Sequence, residues 1–110
     1  MSALGFINKV QIQGIVNSVS IPDNPGRDYI VDFCVRTDYL IRDECGRTVR
    51  ECDDHPAHNW KSACPNISLL KVGMRVKMEG ELDTYTVWDK QGERHIAYRI
   101  IPSSIEILES

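Results

Sequence analysis

The chain has 110 residues and a mass of 12.5 kDa, room for one domain over residues 1–110. Hydrophobic residues make up 42% and charged residues 26%, which excludes wholesale disorder, and no apolar run approaches the roughly 18 residues of a membrane span. A net charge of −3 argues against a generic coat for duplex phosphates but leaves room for a local cationic stripe.

Residues Met1 to Phe6 carry no basic region ahead of an apolar stretch, so no secretory signal is expected. The cytoplasm is then the expected compartment, and the cysteines are expected to stay reduced.

The dominant hydrophobic period along the chain is two. Val10 and Ile12 alternate with Lys9, Gln11 and Gln13, the pattern of a half-buried strand, and Gly14 inside it marks a bend or barrel corner. Ile21 to Gly26 has the composition of a turn. A second strand runs from about Tyr29 to Thr37, with Tyr29, Val31, Phe33 and Val35 on one face and Arg36 on the other. Arg42 to Arg47 reads as a hairpin connection in which Gly46 takes positive φ.

Residues 48–60 lack apolar alternation and contain Pro56, which leaves strand, open loop and metal knuckle as alternatives. Pro65 and Gly73 then bracket a short helix, with Ile67 and Leu70 as its buried side. Val76, Met78 and Leu82 alternate with Lys77, Glu79 and Glu81. Asp89 to Gly92 turns the chain into a strand from about Arg94 to Ile101, and Ile105, Ile107 and Leu108 supply a last apolar segment. This order predicts an all-β fold: a five-stranded OB-fold Greek-key barrel with one short helix between strands 3 and 4.

The residues also carry a family resemblance. Asn8-Lys9-Val10-x-Ile12-x-Gly14 resembles the opening strand of bacterial single-stranded DNA-binding proteins. Phe33-x-Val35-x-Thr37 is similar to their second strand, and Arg42-Asp43-x-x-Gly46 to the loop that follows. The longest match is Lys71-x-Gly73-x-x-Val76-x-x-Glu79-Gly80-x-Leu82-x-Thr84, followed by Asp89-Lys90-x-Gly92 and Ile105-x-x-Leu108. Together these cover roughly residues 8–108. The resemblance implies an OB barrel that forms homo-oligomers, dimers or tetramers, and binds single-stranded DNA without sequence preference. The implied setting is replication, repair, recombination or mobile-element transfer. The family's base-stacking positions, laid on without gaps, fall on Ile41, Asp53, Asn59 and Val87. A slip of one residue brings in Trp60 and Trp88, and the first slip also sets His55 on a family histidine.

Binding single strands without base readout needs planar side chains for stacking and cations along the phosphates. The stacking candidates are Tyr39, Trp60, Tyr85 and Trp88, and the backbone candidates are Arg36, Arg42, Lys61 and Lys90. By parity Tyr85 faces outward, Trp88 is undecided, and Tyr98, alternating with Ile96 and Ile100, belongs to the core.

Cys45, Cys52, His55, His58 and Cys64 fall within twenty positions and are of the ligand types zinc prefers, although no tight Cys-x2-Cys pair is present. The expectation is no cofactor, with zinc on Cys45, Cys52, His55 and His58 as the alternative. Cys34 reads as a buried small hydrophobe. No phosphate loop, nucleophile elbow or His-Glu-x-x-His occurs, so no enzymatic activity is expected. The competing reading is an OB-fold protein-interaction module with weak or no DNA binding, favoured by the net negative charge and the polar segment 50–60.

Overall fold

The computed structural model describes residues 7–110, so the reading of Met1 to Phe6 lies outside the described residues. Five strands follow in order: β1 (Val10–Ser20), β2 (Ile30–Arg42), β3 (Thr48–Trp60), β4 (Arg75–Trp88) and β5 (Arg94–Glu109). One 3-10 turn, Pro65–Leu69, lies between β3 and β4. They close into a barrel in the order β1-β2-β3-β5-β4, antiparallel except where β3 meets β5.

The alternation seen in the sequence places the core. Val31, Phe33 and Val35 of β2, Val76 and Met78 of β4, and Ile100 and Ile105 of β5 point inward and are buried. Ile67 of the 3-10 segment and Leu70 just after it are buried in the same core, as their three-residue spacing indicates. A bulge between Val16 and Ser18 shifts the register of β1 against β2, so that Val16 and Val19 both reach the core although they are three apart.

Two strands bend sharply, and each bend needs a glycine. The first half of β1 pairs with β4 and the second half with β2, the switch falling at Gly14 and Ile15. A Cβ on Gly14 would lie 2.2 Å from the Arg36 carbonyl oxygen, and one on Gly80 the same distance from that of Ile101.

The choice left open for residues 48–60 is resolved, and two sequence expectations are corrected. Residues 48–60 form one continuous strand. Pro56 is tolerated because β3 pairs with β2 along its length but meets β5 at a single bridge, Ala57 opposite Ile100, which leaves its other edge open. The last two apolar segments are one strand, β5, whose register against β4 shifts between Glu79 and Gly80 so that Gly80 stands opposite Pro102. Cys34 faces outward and is half-buried, because it lies between the inward-facing Phe33 and Val35.

The hairpins β2–β3 and β4–β5 run past the barrel wall as two arms. The Cα radius of gyration is 16.3 Å, against about 13 Å for a compact chain of this size.

Candidate nucleic-acid interface

The outward face of β2 and β3 is set by parity. Because Phe33, Val35 and Ala57 point in, the cross-strand pairs Arg36–Asp54, Asp32–His58 and Ile30–Trp60 point out. Trp60 ends this face, 49% exposed. Asn59, one residue earlier, points the other way; its amide donates to the Pro102 carbonyl at 2.8 Å and its own side-chain oxygen accepts from the Trp60 N–H. The slipped alignment that brings in Trp60 is therefore the one parity supports, since Asn59 is occupied in tying β3 to β5.

Lys61 is held beside Trp60. Its N–H donates to the Tyr29 carbonyl at 2.9 Å, and its ammonium lies 5.6 Å from the centroid of the Tyr29 ring. Asp28 locks the same corner, accepting from the Ser62 hydroxyl and N–H and from the Tyr29 N–H. Those bonds, the Ser62 hydroxyl first, hold the Asp28 carboxyl below its ordinary range.

Along the β2–β3 arm, Arg36 and Arg42 share the outward face with Leu40 and Arg50, whereas Tyr39 lies on the opposite face beside Glu51 and Asp53. The Asp53 carboxylate, followed by desolvation and Glu51, pushes the Tyr39 phenol above its ordinary range. Tyr39 thus stands in negative potential, a poor place for a phosphate chain. His55 shares that inner face and is hydrogen-bonded to the Thr37 hydroxyl at 2.9 Å.

The β4–β5 arm has two unlike faces. Leu82, Thr84, Thr86 and Trp88 continue the inward face of Val76 and Met78, and opposite them stand Ile100, Tyr98, Ile96 and Arg94. Beyond the barrel nothing among the described residues covers this face, and Trp88 is 66%, Tyr98 57% and Ile96 52% exposed. This corrects the placement of Tyr98 in the core: its parity is right, but the arm has left the core behind. Tyr85 lies on the other face, where the Arg99 guanidinium sits 4.5 Å from its ring centroid while donating to Asp83 at 3.0 Å. One face of the Tyr85 ring is therefore already occupied. Tyr98 and Arg94, an aromatic and a cation that the sequence also offers, enter the site through strand length: β4 and β5, at 14 and 16 residues, exceed what a small barrel wall needs.

Both arms end in the same turn. Asp43 and Asp89 each accept backbone N–H groups two and four residues ahead, and Gly46 and Gly92 each sit at φ 79°. The second carboxylate oxygen takes Arg47 in one turn and His95 in the other. Hydrogen bonding to His95, then to the Glu93 N–H, holds the Asp89 carboxyl below its ordinary range. Among the described residues no carboxylate lies within ion-pair distance of Arg42, Lys90 or Arg94, so these side chains are not held in ion pairs at the arm ends.

The zinc-ligand candidates are not brought together. Cys52, His55 and His58 lie three apart on one extended strand, so they alternate faces and spread over roughly 20 Å. Cys45 sits in the exposed arm turn, and Cys64 is buried ahead of the 3-10 segment, where desolvation pushes its thiol up. The clustered ligand types among the described residues are instead Asp89, Glu93 and His95, whose ligand atoms lie within 4.8 Å of one another in the turn just described. Among the described residues no helix is long and apolar enough to cross a membrane.

Comparison with known proteins agrees with this frame. The model of the single-strand binding protein family matches residues 7–108. Plasmodium falciparum SSB, solved in complex with ssDNA, is 21% identical and superposes with a TM-score of 0.72, covering 94% of this chain and 97% of that one. A deletion mutant of the single-stranded DNA binding protein from Thermus aquaticus is 22% identical with a TM-score of 0.68, over 94% of this chain and 51% of that one. The chain thus spans about half the length of that Thermus deletion mutant. At these identities the likeness shows the fold. No curated protein sequence matches this chain.

Proposed function

The chain belongs to the single-strand binding protein family, and from that premise we propose that it binds single-stranded DNA without sequence preference and is not an enzyme. Bases stack on Trp60 at the end of the β2–β3 face and on Trp88 and Tyr98 of the β4–β5 arm, while Arg36, Arg42, Lys61, Lys90 and Arg94 follow the phosphates. The observation that carries this reading is the β4–β5 arm. It exposes Trp88 and Tyr98 on one face beside Arg94 and ends in Lys90, none of which belongs to the buried core. Of the residues expected from sequence, Tyr39 and Tyr85 contribute least, being engaged with Asp53 and Arg99.

The protein works as a homo-oligomer, a dimer or tetramer, because its arms and β3 leave sheet edges open. Its place is the cytoplasm, in replication, repair, recombination or mobile-element transfer. It needs no cofactor; the dispersal of Cys45, Cys52, His55 and His58 supports this over a zinc-stabilised adaptor, and a chelator is expected to leave the melting temperature unchanged.

The test is anisotropy of labelled oligo-dT with duplex DNA as competitor. Saturable binding that duplex does not displace supports the reading. No binding at low salt and micromolar protein overturns it in favour of an interaction module whose apolar interface is largely insensitive to salt.

A further inference from the structure

We propose that the root of the β2–β3 arm is a phosphate cradle, in which Arg36, Arg50 and Arg75 grip one phosphodiester of the bound strand. This rests on the single-strand reading and adds where the backbone is held. Ile15 pairs with Arg36 on one side and with Arg75 on the other, so the three form one row across β4, β1 and β2. Side chains in one row point to the same side of a sheet, and the outer two strands stand roughly 10 Å apart. Val16 and Val35 point into the core, so this row points out. Arg50 reaches into the same space from β3, and the side chains bound a cavity of about 270 Å³ that Gln13 also lines.

Asp54 stands opposite Arg36 on this face, but its carboxylate accepts from the Asn17 amide rather than pairing with an arginine. Arg36 Nε stands 3.3 Å from Asp38 and Arg50 Nη2 2.6 Å from the same carboxylate, so two guanidiniums share one acid. Arg75 has only a loose partner, Glu109 at 3.7 Å, exposed on both sides. Arg36 Nε is buried and has no hydrogen-bond partner among the described residues, since Asp38 is near it but not aligned to accept. A buried, unsatisfied guanidinium N–H with two more guanidiniums lining the same cavity matches what a phosphate offers: several anionic oxygens around one centre, each able to accept. Asp38 then acts as an internal stand-in that the strand's phosphate displaces from the arginines.

Free phosphate and a phosphodiester share this chemistry, and the test separates them. Binding of labelled oligo-dT is measured across salt for the wild type, the R36Q/R50Q double variant and D38N, with melting temperatures in parallel. For single strands the logarithm of affinity falls with that of salt at about 0.7 per phosphate neutralised. The double variant is expected to lower the magnitude of the slope by about 0.7 at an unchanged melting temperature. D38N is expected to bind several-fold tighter at low salt, because it releases both guanidiniums. Should the double variant misfold, D38N decides alone. A folded double variant with the wild-type slope overturns the cradle, as does D38N binding no tighter. The same holds if inorganic phosphate raises the wild-type melting temperature while the double variant keeps the wild-type slope, which would mark a free-anion site. In those cases wild-type binding stands and the single-strand reading survives; a wild type that fails to bind oligo-dT removes both.

Discussion

Trp88 and Tyr85 are three positions apart on β4 and face opposite ways, and this separates a free stacking surface from an occupied one. Trp88 stands opposite Arg94 with its ring in solvent, whereas Tyr85 has Arg99 against it. Stacking a base on an aromatic ring is worth about 1–3 kcal/mol, so W88A is expected to weaken oligo-dT binding roughly 5- to 150-fold. Because the side chain makes little contact with the core, the melting temperature should stay within a degree or two (about 0.5 kcal/mol). Y85A should cost less affinity than W88A in the same titration; an equal or larger loss would place the DNA on the Arg99 face. The inward–outward alternation that fixes Trp60, Asn59 and Arg36 is legible in the residues, since Phe33, Val35 and Ala57 set the parity. The exposure of Tyr98 is not. Parity tells which side a residue faces but not whether a second layer stands there, and that depends on where the barrel ends.

At the scale of the element, each arm depends on a bend at its base and a turn at its tip. G80A would drive a Cβ into the Ile101 carbonyl, a backbone contact that no rotamer relieves. Overpacking of this kind costs about 1–3 kcal/mol or more, so the melting temperature is expected to fall by roughly 5–20 °C in a thermal unfolding scan. The turns and the corner at Asp28 respond to acid. Asp28 and Asp89 both have folded-state carboxyls held below their ordinary range. A depressed folded value means the native state favours the ionised form. Its contribution is complete above about pH 4 and is lost as pH falls through the lower folded value. Asparagine imitates the protonated group, so D28N is expected to melt below the wild type at neutral pH and to converge with it in acid; a gap that persists or widens in acid would contradict this. The hairpin turns could be read directly from Asp43 to Arg47 and from Asp89 to Glu93, because an aspartate three residues before a glycine builds its own turn. Strand β3 could not. Its residues Arg50 to Asp54 carry no apolar alternation because that length of strand lies in an arm with water on both faces.

For the whole molecule, charge and shape act together. A chain of net charge −3 binds an anionic polymer only if its cations are gathered along one path; here Arg36, Arg42 and Arg50 share the outward β2–β3 face with Asp32, Asp38 and Asp54, Lys90 and Arg94 stand at an arm end, and Glu51 and Asp53 keep to the opposite face. The arms stretch the molecule to 54 × 40 × 37 Å and leave strand edges open. Light scattering is accordingly expected to give a mass two or four times 12.5 kDa. The barrel was legible because hydrophobic alternation is a property of its wall; the arms were not, because nothing in a strand's own pattern marks where its neighbours stop. The central claim is that tryptophans placed outside the core stack on single-stranded bases in a cation-lined path. Intrinsic tryptophan fluorescence during titration with long oligo-dT, at low and then high salt, tests it most directly. The account predicts quenching that saturates with the single strand, is absent with duplex, and fades as salt rises. With Trp60 and Trp88 both exposed, fluorescence that stays unchanged at low salt and micromolar protein would contradict it.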